Sequence, residues 1–153
     1  MALYLLVNIQ KENNKIMEAT DILLMNYNLF QKMKVLAEKQ EKVIFDEHMD
    51  EFNNLTSQRE RIKREITANS RQYESEMKNL SHEKGNKKIR TISVEISELI
   101  KSIQETDKRI EEFITSRKVA LLDDIKNIKK GQSAIRRYAN GSNKNSRFLD
   151  RKG

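Results

Sequence analysis

Residues 89–128 read IRTISVEISELIKSIQETDKRIEEFITSRKVALLDDIKNI, and this stretch decides the fold. Its apolar side chains recur in steps of three, four, three, four, seven and three residues, at Ile89, Ile92, Ile96, Leu99, Ile103, Ile110 and Phe113. An average spacing of about 3.5 residues indicates an α-helix that packs lengthwise against other helices. Forty residues without Pro or Gly make a rod of about 60 Å, which predicts an elongated bundle rather than a globule.

The composition agrees with a helical bundle. Of the 153 residues, 37% are apolar and 35% are charged, which is thin for a globular core and normal for helices that each bury one stripe. The chain has no Pro, and three of its four Gly follow residue 130. We therefore expect one all-α domain, an elongated antiparallel helical bundle or coiled coil of three main helices.

Two more helices precede this stretch. The first is predicted over about 15–45, and its apolar stripe is broad enough to contact two neighbours. A turn is predicted at 46–50, with Asp46 or Asp50 capping the next helix. The second helix, about 50–81, has a heptad seam with Arg59 and Asn69 at intervening positions; its apolar members are Phe52, Leu55, Ile62, Ile66, Tyr73, Met77 and Leu80.

The ends of the chain are less regular. Residues 1–14 are an N-terminal segment of uncertain structure: 1–9 suit a short turn or strand, and Asn13 or Asn14 suits an N-cap. A polar turn with a Gly is predicted at 81–86, before a third helix that starts near residue 87. Gly131 punctuates that helix, so the bundle is assigned to 15–138, with a C-terminal helical extension, and 139–153 to a flexible basic tail.

A length argument points to a site. Folding helices two and three about the 81–86 turn pairs residues whose numbers sum to about 167, so residue 50 would face residue 117. Some twenty residues of helix three, about 30 Å, would then lack a partner from helix two. Apolar residues exposed in this way usually bind another protein or fold back on their own chain. The candidate partner-binding residues are Leu121, Leu122, Ile125, Ile128, Ile135, Arg136, Arg137 and Tyr138.

Charge is concentrated at the same end. From residue 126 onward there are nine Lys or Arg and one acid, Asp150, whereas residues 1–125 sum to −1 within a total of +7. The basic residues would steer an acidic partner towards the extension. Nucleic-acid or membrane-surface binding by the tail is disfavoured, because its aromatic residues are few and it lacks a strong apolar face. The unfilled seam over 118–138 also allows a homodimer.

Catalytic and cofactor sites are not indicated. The chain has no Cys and no glycine-rich phosphate loop. His48, near Asp46, Glu47 and Asp50, is a weak metal candidate that reads better as a solvated turn residue. We expect no enzyme, no metal and no cofactor. The apolar run at the start is too short to span a bilayer and does not resemble a signal peptide, so a cytoplasmic protein is expected.

The stretch LAEKQEKVIFDEHMDEFNNLTSQRERIKREI, residues 36–66, resembles the flagellar type III export chaperones of the FlgN and FliT kind. The matching positions are Leu36, Gln40, Ile44, Asp50, Leu55, Arg59, Ile62 and Ile66. The segment from Gly131 to Tyr138 is similar to the ending of those proteins. The resemblance covers about half of the chain and rests on degenerate coiled-coil patterns, and residues 1–14 and 81–88 have no counterpart.

The resemblance implies a small cytoplasmic chaperone. Its client would be the helical end of a flagellar axial protein, from the filament cap or the hook–filament junction, which it would deliver to the export ATPase and gate. Tyr138 would contribute to docking at the gate. The alternative is a structural coiled-coil scaffold subunit with a permanent partner, and a nucleic-acid-binding helical protein ranks lower.

Overall fold

A computed structural model describes residues 1–78 and 87–149, and of residues 142–149 it describes only the helical backbone. These residues form α1 (Ala2–Phe45), α2 (Met49–Lys78) and α3 (Lys87–Leu149), with no strand in the described ranges. The predicted all-α fold of three main helices is confirmed. The chain divides into two compact units, residues 1–110 and 111–153. The predicted turn at 81–86, with Leu80 before it, lies outside the described residues.

The core of the first unit is built from the seam of α3. Its isoleucines are buried as the spacing predicts, at Ile89, Ile92, Ile96, Ile103 and Ile110. The first three of them cluster with Leu23 of α1, and Tyr73 and Met77 of α2 pack against the same cluster. Ile103 clusters with Met33 and Ala37 of α1, against Ile62 and Ile66 of α2. The broad stripe of α1 therefore contacts both other helices, as predicted.

Polar contacts set the relative positions of the helices. Asn26 donates from Nδ2 to Ser70 Oγ at 3.2 Å, and Gln40 donates from Nε2 to Thr56 Oγ1 at 2.6 Å, so α1 and α2 run antiparallel. Between α2 and α3, Arg59 pairs with Asp107. The numbers of this last pair sum to 166, which confirms within one residue the register expected from the hairpin argument.

Arg59 joins all three helices. Its Nη1 donates to Gln40 Oε1 of α1 at 2.6 Å and to Asp107 Oδ1 of α3 at 2.7 Å. Its Nη2 donates to Asp107 Oδ2 at 2.8 Å, which completes a bidentate pair, and its Nε lies 3.4 Å from Met33 Sδ. Gln40 is 2% exposed, so its side-chain oxygen depends on this guanidinium for a hydrogen bond. Arg59 occupies a seam position where coiled coils usually have an apolar residue, and there it connects the three helices through hydrogen bonds.

The turn between α1 and α2 is a Schellman motif. His48 N–H donates to Val43 O and Glu47 N–H donates to Ile44 O, both at 3.1 Å, which satisfies the last carbonyls of α1. Glu47 occupies the left-handed position with φ 61°, where glycine is usual. The turn is where the sequence predicts it, but the expected cap is wrong: Asp46 is the C-cap of α1, and Asp50 lies in the first turn of α2.

The N-terminal prediction is wrong. α1 is continuous from Ala2, so neither a strand over 1–9 nor an N-cap at Asn13 or Asn14 occurs, and Met1 is the N-cap. The physical reason is that Asn and Glu lower helix stability by only about 0.7 kcal/mol or less per residue. Three polar residues without Pro or Gly cannot end a helix when the residues before and after them are helical.

The C-terminal boundary is also wrong. α3 runs through Gly131 and Gly141 to Leu149, so the predicted flexible tail over 139–153 is helical as far as residue 149, and 150–153 lie outside the described residues. A single Gly in a helix interior costs about 1 kcal/mol, which is too little to break a long helix. A Cβ added at either glycine would meet no atom within 4 Å, so neither position requires glycine for space.

Replacing Glu47 by Gly is expected to raise the free energy of unfolding. A left-handed residue with a Cβ costs roughly 1 kcal/mol, so Glu47→Gly should gain about 0.5–1 kcal/mol in urea denaturation followed by circular dichroism. Asp46→Gly is the matched control, because Asp46 has φ −83° and Gly there should destabilise by a similar amount. Equal destabilisation by both variants would contradict this account of the turn.

Removing the Arg59 guanidinium is expected to destabilise the first unit. Arg59→Met leaves the buried Gln40 oxygen without its donor and should lower the free energy of unfolding by about 1–3 kcal/mol. Removing all three polar groups, as Gln40→Leu, Arg59→Met and Asp107→Leu, should recover most of that loss. The same urea titration measures both. A single variant as stable as the natural chain would show that the cross-link contributes nothing.

Candidate functional site

The second unit contains a long exposed stretch of α3. Every residue from 114 to 141 is exposed, whereas the seam isoleucines of α3 in the first unit are buried. Large apolar side chains are among the exposed ones, with exposed fractions from 43% at Ile114 to 83% at Tyr138. Burying such side chains against a partner contributes about 1.5–3 kcal/mol each. Contiguous exposed apolar patches are the surfaces through which soluble proteins commonly bind other proteins.

Four of the eight predicted site residues lie on one face of α3. At about 100° per residue, Leu121, Ile125, Ile128 and Ile135 fall within roughly 80° of one another. They follow steps of four, three and seven residues, which is the spacing of a coiled-coil seam. We call these four residues the apolar strip. Phe113 and Leu121 are eight residues apart, one more than a heptad, so the seam of α3 shifts its frame between them and then continues regularly.

The other four predicted residues lie around this strip. Leu122 and Arg136 border it on one side, and Tyr138, which is 83% exposed, borders it on the other. Arg137 is nine residues from Ile128, which is about 180° around the helix, so Arg137 lies on the opposite face. There it lines a shallow recess with Lys130, Ser133, Ala134 and Tyr138. Seven of the eight predicted residues thus belong to or border the strip, and Arg137 does not.

The charges around the strip are mainly positive. Residues 114–141 contain seven Lys or Arg and two Asp, a net charge of +5. The side with Arg136 also carries Lys118 and Lys129, and we call these three residues the basic edge. The side with Tyr138 carries Arg117, Asp124 and Gly131. At the start of the unit, the Arg117 guanidinium lies 5.9 Å from the centre of the Phe113 ring, a cation–π contact within one helix.

Residues 2–9 form a second exposed apolar segment, which the sequence did not single out as a site. Every residue from 1 to 14 is exposed, and the large apolar ones include Leu3, Leu5, Leu6 and Ile9, at 53–80%. Together with Tyr4 and Val7, which are 74% and 48% exposed, these side chains surround the whole helix at about 3.6 residues per turn, so they form no single face. The lack of Pro and Gly through residue 45 was the signal that this run is helical.

The first unit holds a cleft beside Arg59, with a volume of about 490 Å³. Its floor is apolar, from Phe30, Met33 and Ile103, while Arg59 and Asp107 on its wall are already paired with each other. Outside the cleft, partial burial against the cluster around Leu23 raises the pKa of the Tyr73 phenol. The polar groups of this cleft therefore serve to hold the helices together.

Two further observations concern metals and membranes. The described part of the chain contains no group of three or more His, Cys, Asp or Glu residues that could hold a metal ion, and His48 has no such group around it. Within the same residues, none of the helices combines the length and apolar character that crossing a membrane requires.

The apolar strip is therefore the candidate site for binding another molecule. Comparison with protein-family models, with curated proteins and with solved structures finds no match to this chain.

Proposed function

We propose that this protein is a cytoplasmic secretion chaperone that binds the helical end of a flagellar axial protein and delivers it to the export apparatus. The observation that carries the proposal is the apolar strip, four aliphatic residues at coiled-coil spacing that are 47–70% exposed. A client helix would lie along Leu121, Leu122, Ile125 and Ile128 and bury them, as amphipathic helices do in apolar grooves.

The first unit supports the proposal because its core does not need a client. Its core is complete without a client, because α1, α2 and the start of α3 bury one another's apolar residues. The resemblance to export chaperones supports it as well. Two of its matching residues, Gln40 and Arg59, are hydrogen-bonded to each other at 2.6 Å. The folded unit would thus present a binding helix, while the client supplies the missing contacts.

The alternative function is a structural coiled-coil subunit with a permanent partner. The regular spacing of the apolar strip supports this alternative equally well, because coiled-coil seams have the same spacing. Exchange separates the two functions: a chaperone releases its client, whereas a scaffold subunit keeps its partner. Capture of partners from the native host, followed by competition with fresh unlabelled chain, measures this exchange directly.

A double substitution in the strip is expected to abolish client binding without unfolding the protein. Ile125→Asp with Ile128→Asp should lower the affinity for the captured client by at least a hundredfold, about 2.7 kcal/mol, because two aliphatic contacts are replaced by buried charge. Its melting temperature should stay close to that of the natural chain. Titration calorimetry and thermal melts measure the two effects.

The matched control carries the same change in the core. Ile96→Asp with Leu99→Asp has the same spacing, and Ile96 is only 8% exposed, so this pair should lower the melting temperature instead. If the strip variant melts as early as the core variant, the strip is core and not a docking surface. If client binding survives in the strip variant, the client is held elsewhere.

A further inference from the structure

The two borders of the apolar strip differ in charge. Lys118, Lys129 and Arg136 form the basic edge along one side, each about 80–100° from Ile128 around the helix. The opposite border carries Arg117, Asp124, Gly131 and Tyr138 at steps of seven residues, so its one positive charge is offset by one negative charge. A helix lying on the strip would therefore meet a net charge of +3 on one side and a net charge of zero on the other.

This charge distribution selects among occupants. A second copy of the chain would bring a segment of net charge +5 against another of +5, with only Asp123 and Asp124 to offset seven cations in each. Like charges held close together oppose association, most strongly at low salt. A partner with carboxylates beside its apolar stripe would instead gain attraction along the basic edge.

We propose that the strip takes an amphipathic helix whose apolar face is bordered by acidic residues on the side that lies against Lys118, Lys129 and Arg136. This inference rests on the proposed function and adds the chemistry and the orientation of the client. The strip and its basic edge span Lys118 to Arg136, about 27 Å of helix, so a partner of five turns is long enough to cover both.

The basic edge should also make the affinity for the partner depend on salt concentration. Exposed ion pairs each contribute modestly, so three of them together should change affinity by about tenfold or more at low salt. Most of this gain should disappear in 0.5 M salt, where the screening length falls to roughly 4 Å. The apolar contacts of the strip should change little with salt.

Three synthetic peptides test the charge preference. Each is a labelled, capped 21-residue helix with the same leucine stripe, and they differ only along one border of that stripe, which carries Glu, Gln or Lys. Fluorescence anisotropy measures their binding to the full chain at low salt and in 0.5 M salt. We expect the Glu peptide to bind about tenfold or more tightly than the Lys peptide at low salt, with the Gln peptide between them.

A pair of charge-reversal variants tests the side of the helix. Lys129→Glu with Arg136→Glu changes the basic edge, and it should reverse the order of the three peptides. Lys130→Glu with Arg137→Glu is the matched control, with the same residue types, spacing and net charge but on the opposite face. The control should keep the order of the natural chain, because its charges lie away from the strip.

Each other outcome overturns the inference. Equal binding of the three peptides, or equal effects of the two variants, would refute the acidic border while leaving the chaperone proposal intact. Failure of all three to bind at any salt would refute both. A dimer of the natural chain in sedimentation equilibrium, lost in Ile125→Asp with Ile128→Asp, would show that a second copy occupies the strip instead.

Discussion

The first unit depends on the hydrogen bonds of one guanidinium. Apolar seams alone specify that helices pack, but neighbouring registers bury similar numbers of isoleucines and differ little in free energy. Arg59 removes that ambiguity because it must reach Gln40 on α1 and Asp107 on α3 at the same time. A shift of either helix by one turn would leave a buried oxygen or a charged group without its partner, and such groups are expensive to bury unpaired.

That arrangement explains why the two parts of α3 behave differently. Residues 89–110 repeat an apolar seam that α1 and α2 cover, and the isoleucines of the seam are buried. The apolar strip beyond residue 120 has a similar spacing, yet its side chains are 47–70% exposed. A pattern therefore indicates that a helix has something to bury, while the other helices decide whether the chain itself can bury it. This difference turns a structural motif into a candidate docking surface.

Several residues show how far the site was accessible from sequence. Leu121, Ile125 and Ile128 were predicted from helix lengths, because the hairpin register gives the residue beyond which α3 has no partner from α2. The sequence could not show that Arg136 borders the strip while Arg137 lies on the opposite face. If the helix had ended at Gly131, the angles of both residues relative to the strip would have been undefined. The structure continues α3 through Gly131, and about 100° per residue then separates the two arginines.

The sequence by itself determined the helical class, the turn near residue 47 and the register of α2 on α3, because periodicity and chain length are local properties that few folds satisfy. It did not determine where α1 begins or α3 ends, because weak polar and glycine penalties are smaller than the gain from continuing a helix. Only the tertiary structure showed that Arg59 binds both Gln40 and Asp107, since these residues are 19 and 48 positions away. Contacts across such separations depend on how three helices meet, which no local pattern encodes.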